Sequence, residues 1–142
     1  MSKVSQLVLF AKADTTNTHK EINFGIIPNF QAQDINGKTG VYVRGCKRIL
    51  NTSGIRHAFN GHGNQLKENE RGQIGIIDID FELLTEIFNT PDSVVRGNNN
   101  SRGQHAVVFI KKIGIKTYHV VMSLVESRKE LNLVFSTMYI KK

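Results

Sequence analysis

The chain has 142 residues, of which 39% are apolar, and it carries 19 lysines and arginines against 12 aspartates and glutamates. This length and apolar content predict one domain over residues 1–142 with a modest core. The single cysteine excludes an intramolecular disulfide and a cysteine-based zinc site, and no apolar run approaches the length of a transmembrane helix.

The formal net charge of +7 is unevenly distributed along the chain. Residues 101–142 contain eight basic and two acidic residues, whereas residues 1–100 contain eleven and ten. A one-sided basic surface is typical of proteins that bind a polyanion; the alternative is a basic surface that serves only solubility. The charge therefore favours a nucleic-acid partner, with RNA as the first candidate.

The core of the domain is predicted to begin near residue 22, and little regular structure is predicted before it. Residues 1–20 form either a weakly ordered lead-in or a short helix. A short strand is predicted over residues 24–27, because these are apolar and β-prone and Pro28 ends the run.

The next segment predicts a turn followed by a short helix. The Asn-Gly pair at 36–37 predicts a turn, and residues 41–43 are β-prone. Ser53 predicts the N-cap of a helix over residues 55–60, and Gly61 predicts its end.

A second helix is predicted in the middle of the chain. After a brief apolar segment at 74–77, Asp78 or Asp80 can cap a helix whose apolar residues recur at helical spacing over 81–88. Pro91 then ends it.

The last third of the chain predicts strands. Residues 96–103 predict a loop, and the runs 105–113, 116–125 and 130–140 predict three strands joined by short turns. Such strands form an antiparallel meander. The sequence therefore predicts an α+β fold, with N-terminal helices packed on a C-terminal antiparallel sheet.

Two histidines stand out in the predicted helix region. His57 and His62 lie five residues apart, and glycines flank His62. Imidazole is well suited to proton transfer near neutral pH, so the two could form an acid–base pair. One alternative is a pair of surface histidines; another is a weak metal site completed by Glu68 or Glu70.

Hydroxyl groups and lysines near the C-terminus could hold a phosphate. Thr137 and Tyr139 lie two residues apart on a predicted strand and so share a face, on which the period of two also places Phe135. The other face is predicted to carry Ser136, Met138 and Ile140. Hydroxyl, phenol and ammonium groups donate hydrogen bonds to phosphate oxygens, although a buried tyrosine beside an ordinary strand threonine is the alternative.

Two further strand residues are candidates for the same surface. Lys111 and Lys112 face opposite sides of their strand, and either could contact phosphate. His119 lies in an apolar strand and is predicted to be structural.

Five segments in a fixed order carry a resemblance to a known group of proteins. They are Ile-Arg-His-x-x-x-x-His-Gly at Ile55–Gly63, Arg-Gly-Gln-Ile at Arg71–Ile74, Asn-x-Pro-Asp at Asn89–Asp92, a lysine-bearing strand at Val107–Lys112 and Ser-Thr-Met-Tyr at Ser136–Tyr139. In these segments the chain resembles the nuclease-toxin domains of the barnase–EndoU–colicin–RelE superfamily, and especially their phage-associated branch.

The resemblance implies an endoribonuclease that needs no metal or other cofactor, often a toxin that cleaves transfer RNA. It places His57 and His62 at the acid–base positions, Lys111 at the strand lysine, and Thr137 and Tyr139 in the C-terminal motif. One histidine would remove the proton of a ribose 2′-OH and the other would protonate the leaving 5′ oxygen, giving 2′,3′-cyclic phosphate and 5′-OH ends. The residues expected to bind substrate are Arg56, Gln73, Arg102, Lys112 and Ser136.

The resemblance also implies a biological setting. Such domains are usually the C-terminal tip of a larger effector. We expect a bacterial domain that belongs to a secreted or delivered effector or to a phage protein and acts in the cytoplasm of a target cell. We expect a domain that is monomeric by itself and is neutralised by a cognate acidic immunity protein. The alternatives are a non-catalytic module that binds nucleic acid and a metal-dependent hydrolase.

Overall fold

The computed structural model describes residues 2–14 and 16–142 of the chain. Its α-helices are α1 (Lys3–Ala13), α2 (Asn29–Thr39), α3 (Thr52–His62), α4 (Gln65–Glu70) and α5 (Leu84–Asn89), and a 3₁₀ helix (Asp78–Leu83) leads directly into α5. Its strands are β1 (Glu21–Ile26), β2 (Lys47–Asn51), β3 (Gln73–Ile74), β4 (Ser93–Arg96), β5 (Ala106–Ile113), β6 (Lys116–Ser127) and β7 (Glu130–Lys141). The predicted α+β class is confirmed.

The strands form one sheet in the order β1-β2-β7-β6-β5-β4, and the short β3 pairs with the end of β7. The predicted meander of three C-terminal strands is confirmed, since β5, β6 and β7 are consecutive antiparallel neighbours. β2 pairs with β7 in parallel and only over residues 132–134 of β7. The later part of that edge of β7 instead contacts α3 and β3.

One face of the sheet forms the core with the helices. Its buried residues on β6 and β7 are Tyr118, Val120, Met122, Leu133, Phe135, Met138 and Ile140. They form one apolar cluster with helix residues such as Ile55 and Ala58 of α3. Burial of these side chains removes apolar surface from water and is the main favourable term holding the helices on the sheet.

A β-bulge in β7 decides which side chains leave this core. The pairing of β7 with β6 shifts register between Phe135 and Thr137, which leaves Ser136 as an extra residue. The alternation of side chains does not continue through a bulge. Phe135 therefore lies in the core, while Thr137 and Tyr139 lie on the opposite face. The prediction that Phe135 shares a face with Thr137 and Tyr139 is wrong, and Ser136 does not lie in the core row with Met138.

The opposite face of β5, β6 and β7 presents its side chains in rows across the three strands, and we call it the open face. The rows are Lys112, Thr117 and Lys141; Ile110, His119 and Tyr139; Val108, Val121 and Thr137; and Ala106, Ser123 and Val134. Adjacent rows are about 7 Å apart, because two residues of an extended strand separate them.

Two local predictions in the first half of the chain are wrong. The Asn-Gly pair at 36–37 lies inside α2, because Ala32 and Ile35 of that helix are buried in the core and packing outweighs turn propensity. The helix ends instead at Gly40, whose φ of 74° is accessible to glycine. Residues 41–43 form no strand, although Val41 and Val43 are buried.

A strand that the sequence did not reveal, β2, follows this segment. Its first two residues, Lys47 and Arg48, gave no strand signal, because charged residues are seldom found in a buried central strand. The Arg48 guanidinium is buried and donates to the Phe24 carbonyl at 3.0 Å and to Asn89 Oδ1 at 3.0 Å. Burial lowers the pKa of Arg48, and these acceptors compensate for part of its lost hydration.

The N-terminal residues form a helix, the second of the two alternatives that the sequence left open. α1 buries Leu7, Val8 and Ala11 in the core, and it is capped by Ser2, whose hydroxyl accepts from the Ser5 N–H. None of the helices in the described ranges has the length and apolar character needed to span a membrane.

Candidate functional site

α3 carries both histidines of the predicted acid–base pair. Asn51, rather than Ser53, caps this helix, since its side chain accepts from the Gly54 N–H at 2.7 Å. The predicted end at Gly61 is wrong, because the helix runs through this glycine to His62. Five helical residues turn through about 140° beyond one full circle and rise about 7.5 Å. His57 and His62 therefore point to different parts of the surface.

Gly54 lets α3 approach β7 closely. A Cβ at this position would lie 2.5 Å from the Phe135 carbonyl oxygen and 2.9 Å from the Phe135 ring. Only a residue without a side chain can occupy such a position unless the backbone shifts. This contact holds α3 against β7. The His62 side chain, at the other end of the helix, can then reach Tyr139 on the open face.

A buried carboxylate orients His62. The His62 Nδ1 lies 3.1 Å from Glu68 Oε2, and Glu68 is fully buried. The other Glu68 oxygen accepts from Arg71 Nη1 at 2.8 Å, and Arg71 also donates to the Gly61 carbonyl at 3.0 Å. A carboxylate that accepts from Nδ1–H fixes the tautomer and leaves Nε2 available for proton transfer.

Two imidazole rings contact Tyr139 on the open face. His119, its neighbour on β6, stacks on the Tyr139 ring with 4.7 Å between centroids and 12° between planes. His62 lies 5.7 Å from the same ring at 38°. We call His62, Glu68, His119, Thr137 and Tyr139 the Tyr139 cluster.

The surroundings of His119 favour its neutral form. Burial lowers the pKa of His119, and the nearby charge of Lys141 lowers it further, while a hydrogen bond from Nδ1 to the Thr117 carbonyl, 3.3 Å long, acts in the opposite direction. With Nδ1 engaged in this way, Nε2 is the nitrogen free to accept a proton. His119 was predicted to be structural, but its position beside Tyr139 makes it a candidate for chemistry.

Two buried polar atoms near the Tyr139 cluster have no hydrogen-bond partner in the described part of the chain. They are Thr137 Oγ1 and Gln73 Oε1. Gln73 pairs with Lys141 across β3 and β7, so it lies at the edge of the open face. Buried polar atoms are normally paired, and the exceptions often serve function.

A cleft of about 520 Å³ lies at the other end of the open face. His57, Arg102, Gln104, Ser123 and Ser136 line it. His57 is exposed and makes no hydrogen bond with any described residue. The structure thus places His57 with Arg102 and Ser136, and His62 with Thr137 and Tyr139.

The two strand lysines are separated by the sheet. Lys111 is opposite Tyr118, on the core side, and its Nζ donates to the Thr90 carbonyl at 2.6 Å. Lys112 is opposite Thr117 on the open face. The structure therefore does not bring Lys111 to Thr137 and Tyr139, because successive residues of a strand face opposite sides.

Arg56 is engaged in packing. Its guanidinium donates to the Ala11 carbonyl at 3.0 Å and to Asp14 Oδ2 at 3.0 Å. These bonds hold the end of α1 against α3. The substrate-binding role expected for Arg56 would require these contacts to be exchanged.

Sequence reasoning missed His119 and Gln104 as site residues, and it considered Glu68 only as a metal ligand. The alternation of β6 could have placed His119 on the less buried face, but its pairing with Tyr139 depends on register across the meander. Within the described residues, no group of three histidine, cysteine or carboxylate side chains is arranged to hold a metal ion.

Comparison with known proteins supplies one match. The model of a family described as phage-Barnase-EndoU-ColicinE5/D-RelE like nuclease 3 matches residues 25–142. No curated protein and no solved structure matches the chain. The matched range contains β2 to β7 in full and the last two residues of β1, so it includes both ends of the open face.

Proposed function

The chain belongs to the phage-Barnase-EndoU-ColicinE5/D-RelE like nuclease 3 family, and from this membership we propose that it is an endoribonuclease that cleaves RNA without a metal. The observation that carries the proposal is that His62 and His119 both contact the Tyr139 ring on the open face. Two imidazoles with different surroundings beside one phenol provide an acid, a base and a donor for a phosphate.

In the proposed mechanism His119 is the general base. Its neutral Nε2 removes the proton of a ribose 2′-OH, and the resulting oxygen attacks the adjacent phosphorus. Protonated His62 donates its Nε2 proton to the 5′ oxygen as the bond from phosphorus to that oxygen breaks. The products are a 2′,3′-cyclic phosphate and a 5′-OH, and the Glu68 carboxylate balances the charge of His62 before transfer.

The remaining groups of the Tyr139 cluster would stabilise the charge on the phosphate. The Tyr139 phenol is a donor for its non-bridging oxygens. Thr137 Oγ1 is buried and has no partner among the described residues, so its hydroxyl would join the phenol once rotation of the side chain brings it to the phosphate. Lys141 Nζ lies 5.8 Å from the Tyr139 ring centroid and adds a positive charge. Donors already in place where negative charge develops lower the barrier most effectively.

This mechanism differs from the sequence-based assignment in two groups. His119 takes the role expected for His57, because it contacts Tyr139. Lys112 and Lys141 take the electrostatic role expected for Lys111, because both lie on the open face. Catalytic roles for His57 and Lys111 remain predictions from the sequence.

Cleavage of a defined RNA tests the proposal. A single-stranded oligoribonucleotide should be cut in the presence of excess chelator, with cyclic phosphate on one product and a 5′-OH on the other. One 2′-deoxynucleotide at the cleavage site should abolish the cut. Tyr139→Phe should slow cleavage, whereas Tyr118→Phe, on the core face, should leave it intact.

Other outcomes would favour the alternatives. Loss of activity with chelator, or cleavage of the 2′-deoxy site, would indicate a metal-dependent hydrolase. Binding of RNA without any product would indicate a non-catalytic module. Either result would contradict the proposed mechanism.

We extend the proposal to a toxin domain that is neutralised by an acidic immunity protein seated over the open face. Such a partner would exclude RNA from the Tyr139 cluster, and opposite charges would speed its association. An inhibitor whose binding is unaffected by Lys112→Glu and Lys141→Glu would contradict this placement.

A further inference from the structure

The cleft next to the Tyr139 cluster has no role in the mechanism above. It lies between the first half of α3 and the loop of residues 97–105, with Ser136 and Ser123 at its floor. Ser136 is three residues from Tyr139, which corresponds to about 10 Å along the strand. A nucleotide whose phosphate lies in the Tyr139 cluster could therefore extend its base, or that of its neighbour, into this cleft.

The loop that forms one wall is organised by Asn100. Its Oδ1 accepts from the backbone N–H groups of Arg102 and Gln104, both at 3.0 Å. Because these donors fix the amide orientation, Asn100 Nδ2 must donate, and it does so to Gln104 Oε1 at 2.7 Å. The Gln104 amide therefore has its oxygen occupied and its Nε2 donors free.

Two other polar side chains of the cleft likewise have free donors and no free acceptor. Asn51 Oδ1 is occupied as the cap of α3, which leaves its Nδ2 as a donor. The exposed Arg102 guanidinium makes no hydrogen bond or ion pair with any described residue. Apart from serine hydroxyls and His57, the free hydrogen-bonding side chains named here are donors.

A pocket of donors selects a base with adjacent acceptors. Guanine presents O6 and N7 side by side, and the planar fork of arginine matches this pair, whereas adenine offers one acceptor and one donor on the same edge. His57, which has no partner in the described chain, can stack on the plane of a base.

We propose that this cleft binds the base of a nucleotide next to the scissile phosphate, with Arg102 and Gln104 selecting guanine and His57 stacking on it. The inference rests on the proposed ribonuclease function for its biological meaning. The pairing of Arg102 with guanine should favour this base by about 5- to 100-fold over the others.

Cleavage of oligoribonucleotides that differ in one base tests the selection. Wild-type protein should cut guanine-containing sites fastest, and replacing that guanine by 7-deazaguanine, which lacks N7, should slow the cut. Arg102→Ala should make the four bases nearly equal and remove the effect of 7-deazaguanine. Arg44→Ala, which removes an exposed arginine away from the cleft, should keep the preference.

A binding experiment separates this inference from the proposed function. The probe is a 2′-O-methyl oligonucleotide, which cannot be cleaved by 2′-OH attack, carrying either guanine or 7-deazaguanine, and its Kd is measured by fluorescence anisotropy. Tighter binding of guanine that disappears in Arg102→Ala supports the pocket even if no RNA is cut. Cleavage by 2′-OH attack with equal rates and equal Kd values for all bases overturns the pocket and leaves the ribonuclease standing.

Discussion

The proposed chemistry depends on single side chains whose neighbours set their protonation and orientation. Glu68 is buried and holds His62 through Nδ1. Burial and the charge of Lys141 favour the neutral form of His119, and its bond to the Thr117 carbonyl occupies Nδ1 and leaves Nε2 free. Tyr139 lies against both rings. Each of these arrangements can be altered by one substitution without removing a large apolar side chain from the core.

Substitution of the two histidines should separate chemistry from binding. His62→Ala and His119→Ala should each lower kcat by about 10²–10⁴-fold, which corresponds to roughly 3–5 kcal/mol of barrier. His57→Ala should act mainly on KM, because the proposed contact of His57 is with a base. Single-turnover cleavage with saturating enzyme measures the chemical step. Full activity of His119→Ala would remove this residue from the mechanism and restore His57 as the candidate.

The lowered pKa of His119 should appear in the pH profile. A general base must be neutral, so kcat/KM should rise with pH through the His119 pKa, at a midpoint below the ordinary value of about 6.5. The titratable groups shown to act on the ring are Tyr139, which stacks on it, and Lys141, whose charge lowers its pKa; both belong to β7.

A change of charge beside the ring provides the check. Lys141→Met removes a charge that lowers the His119 pKa, so the midpoint of the rising limb should move to higher pH. If kcat/KM of the wild type rises only above pH 7, and the midpoint of that rise is unchanged by Lys141→Met, the result would argue against His119 as the base.

Contacts between elements determine where these side chains lie. α3 is placed by Gly54 against β7 at one end and by Arg56 against α1 along its length. β7 presents Thr137 and Tyr139 to the open face because the bulge at Ser136 shifts its alternation. The site is therefore sensitive to changes at positions that touch no substrate.

Two glycines of α3 should respond oppositely to alanine. Gly54→Ala places a methyl group 2.5 Å from the Phe135 carbonyl oxygen and should destabilise the fold by about 1–3 kcal/mol. Gly61→Ala meets no atom within 4 Å and should stabilise it by about 0.5–1 kcal/mol, since alanine favours the helix. Urea denaturation measures both. Equal effects of the two substitutions would contradict the close packing of α3 on β7.

The link between α1 and α3 should weaken in acid. The Thr16 hydroxyl and backbone N–H, the Thr18 N–H and the Arg56 charge lower the pKa of Asp14 from 3.8 to about 2. A carboxyl whose pKa is lower in the folded state stabilises the fold above its unfolded pKa, and this stability is lost as pH falls through the folded value.

Thermal unfolding at a series of pH values tests this contribution. The Tm of the wild type should exceed that of Asp14→Asn by a constant amount above about pH 4, and the difference should shrink towards pH 2. A difference that stays constant down to pH 2 would show that Asp14 acts through hydrogen bonds that survive its protonation.

At the scale of the whole molecule, five basic residues of the last third of the chain are divided between the two faces of the sheet. Lys112, Lys141 and Arg102 lie on the open face or in its cleft, whereas Lys111 and Lys116 are on the core side beside Asp92 and Asp80. The charge excess of residues 101–142 is thus less one-sided in space than in sequence. Only the first group is in a position to contact RNA over the open face.

Salt dependence should distinguish the adjacent lysines. Binding of single-stranded RNA should weaken as salt rises, because each neutralised phosphate releases counterions. Lys112→Ala should reduce the slope of log K against log salt by about 0.7, the value for one contact, and Lys111→Ala should leave the slope unchanged. Non-cleavable oligonucleotides allow this measurement at equilibrium. A larger change for Lys111 would return it to the substrate surface.

The sequence by itself was sufficient for the fold class, the three-stranded meander and the nuclease family. These follow from local signals: alternating apolar residues over long strands, short turns between them, and a series of motifs in fixed order. It was insufficient to predict β2, where Arg48 is buried and hydrogen-bonded, and to predict that α2 continues through the Asn-Gly pair at 36–37, where Ala32 and Ile35 are buried. In both places buried contacts outweigh local propensity.

The grouping of side chains within the site was decided only by the tertiary structure. His57 and His62 are close in sequence, yet helical rotation separates them, while His119 and Tyr139 are twenty residues apart and stack because of the register of β6 with β7. The bulge at Ser136 then determines which face Thr137 and Tyr139 occupy. Residue types and short spacings are properties of the chain alone, whereas register, bulges and helix contacts arise from packing between distant segments.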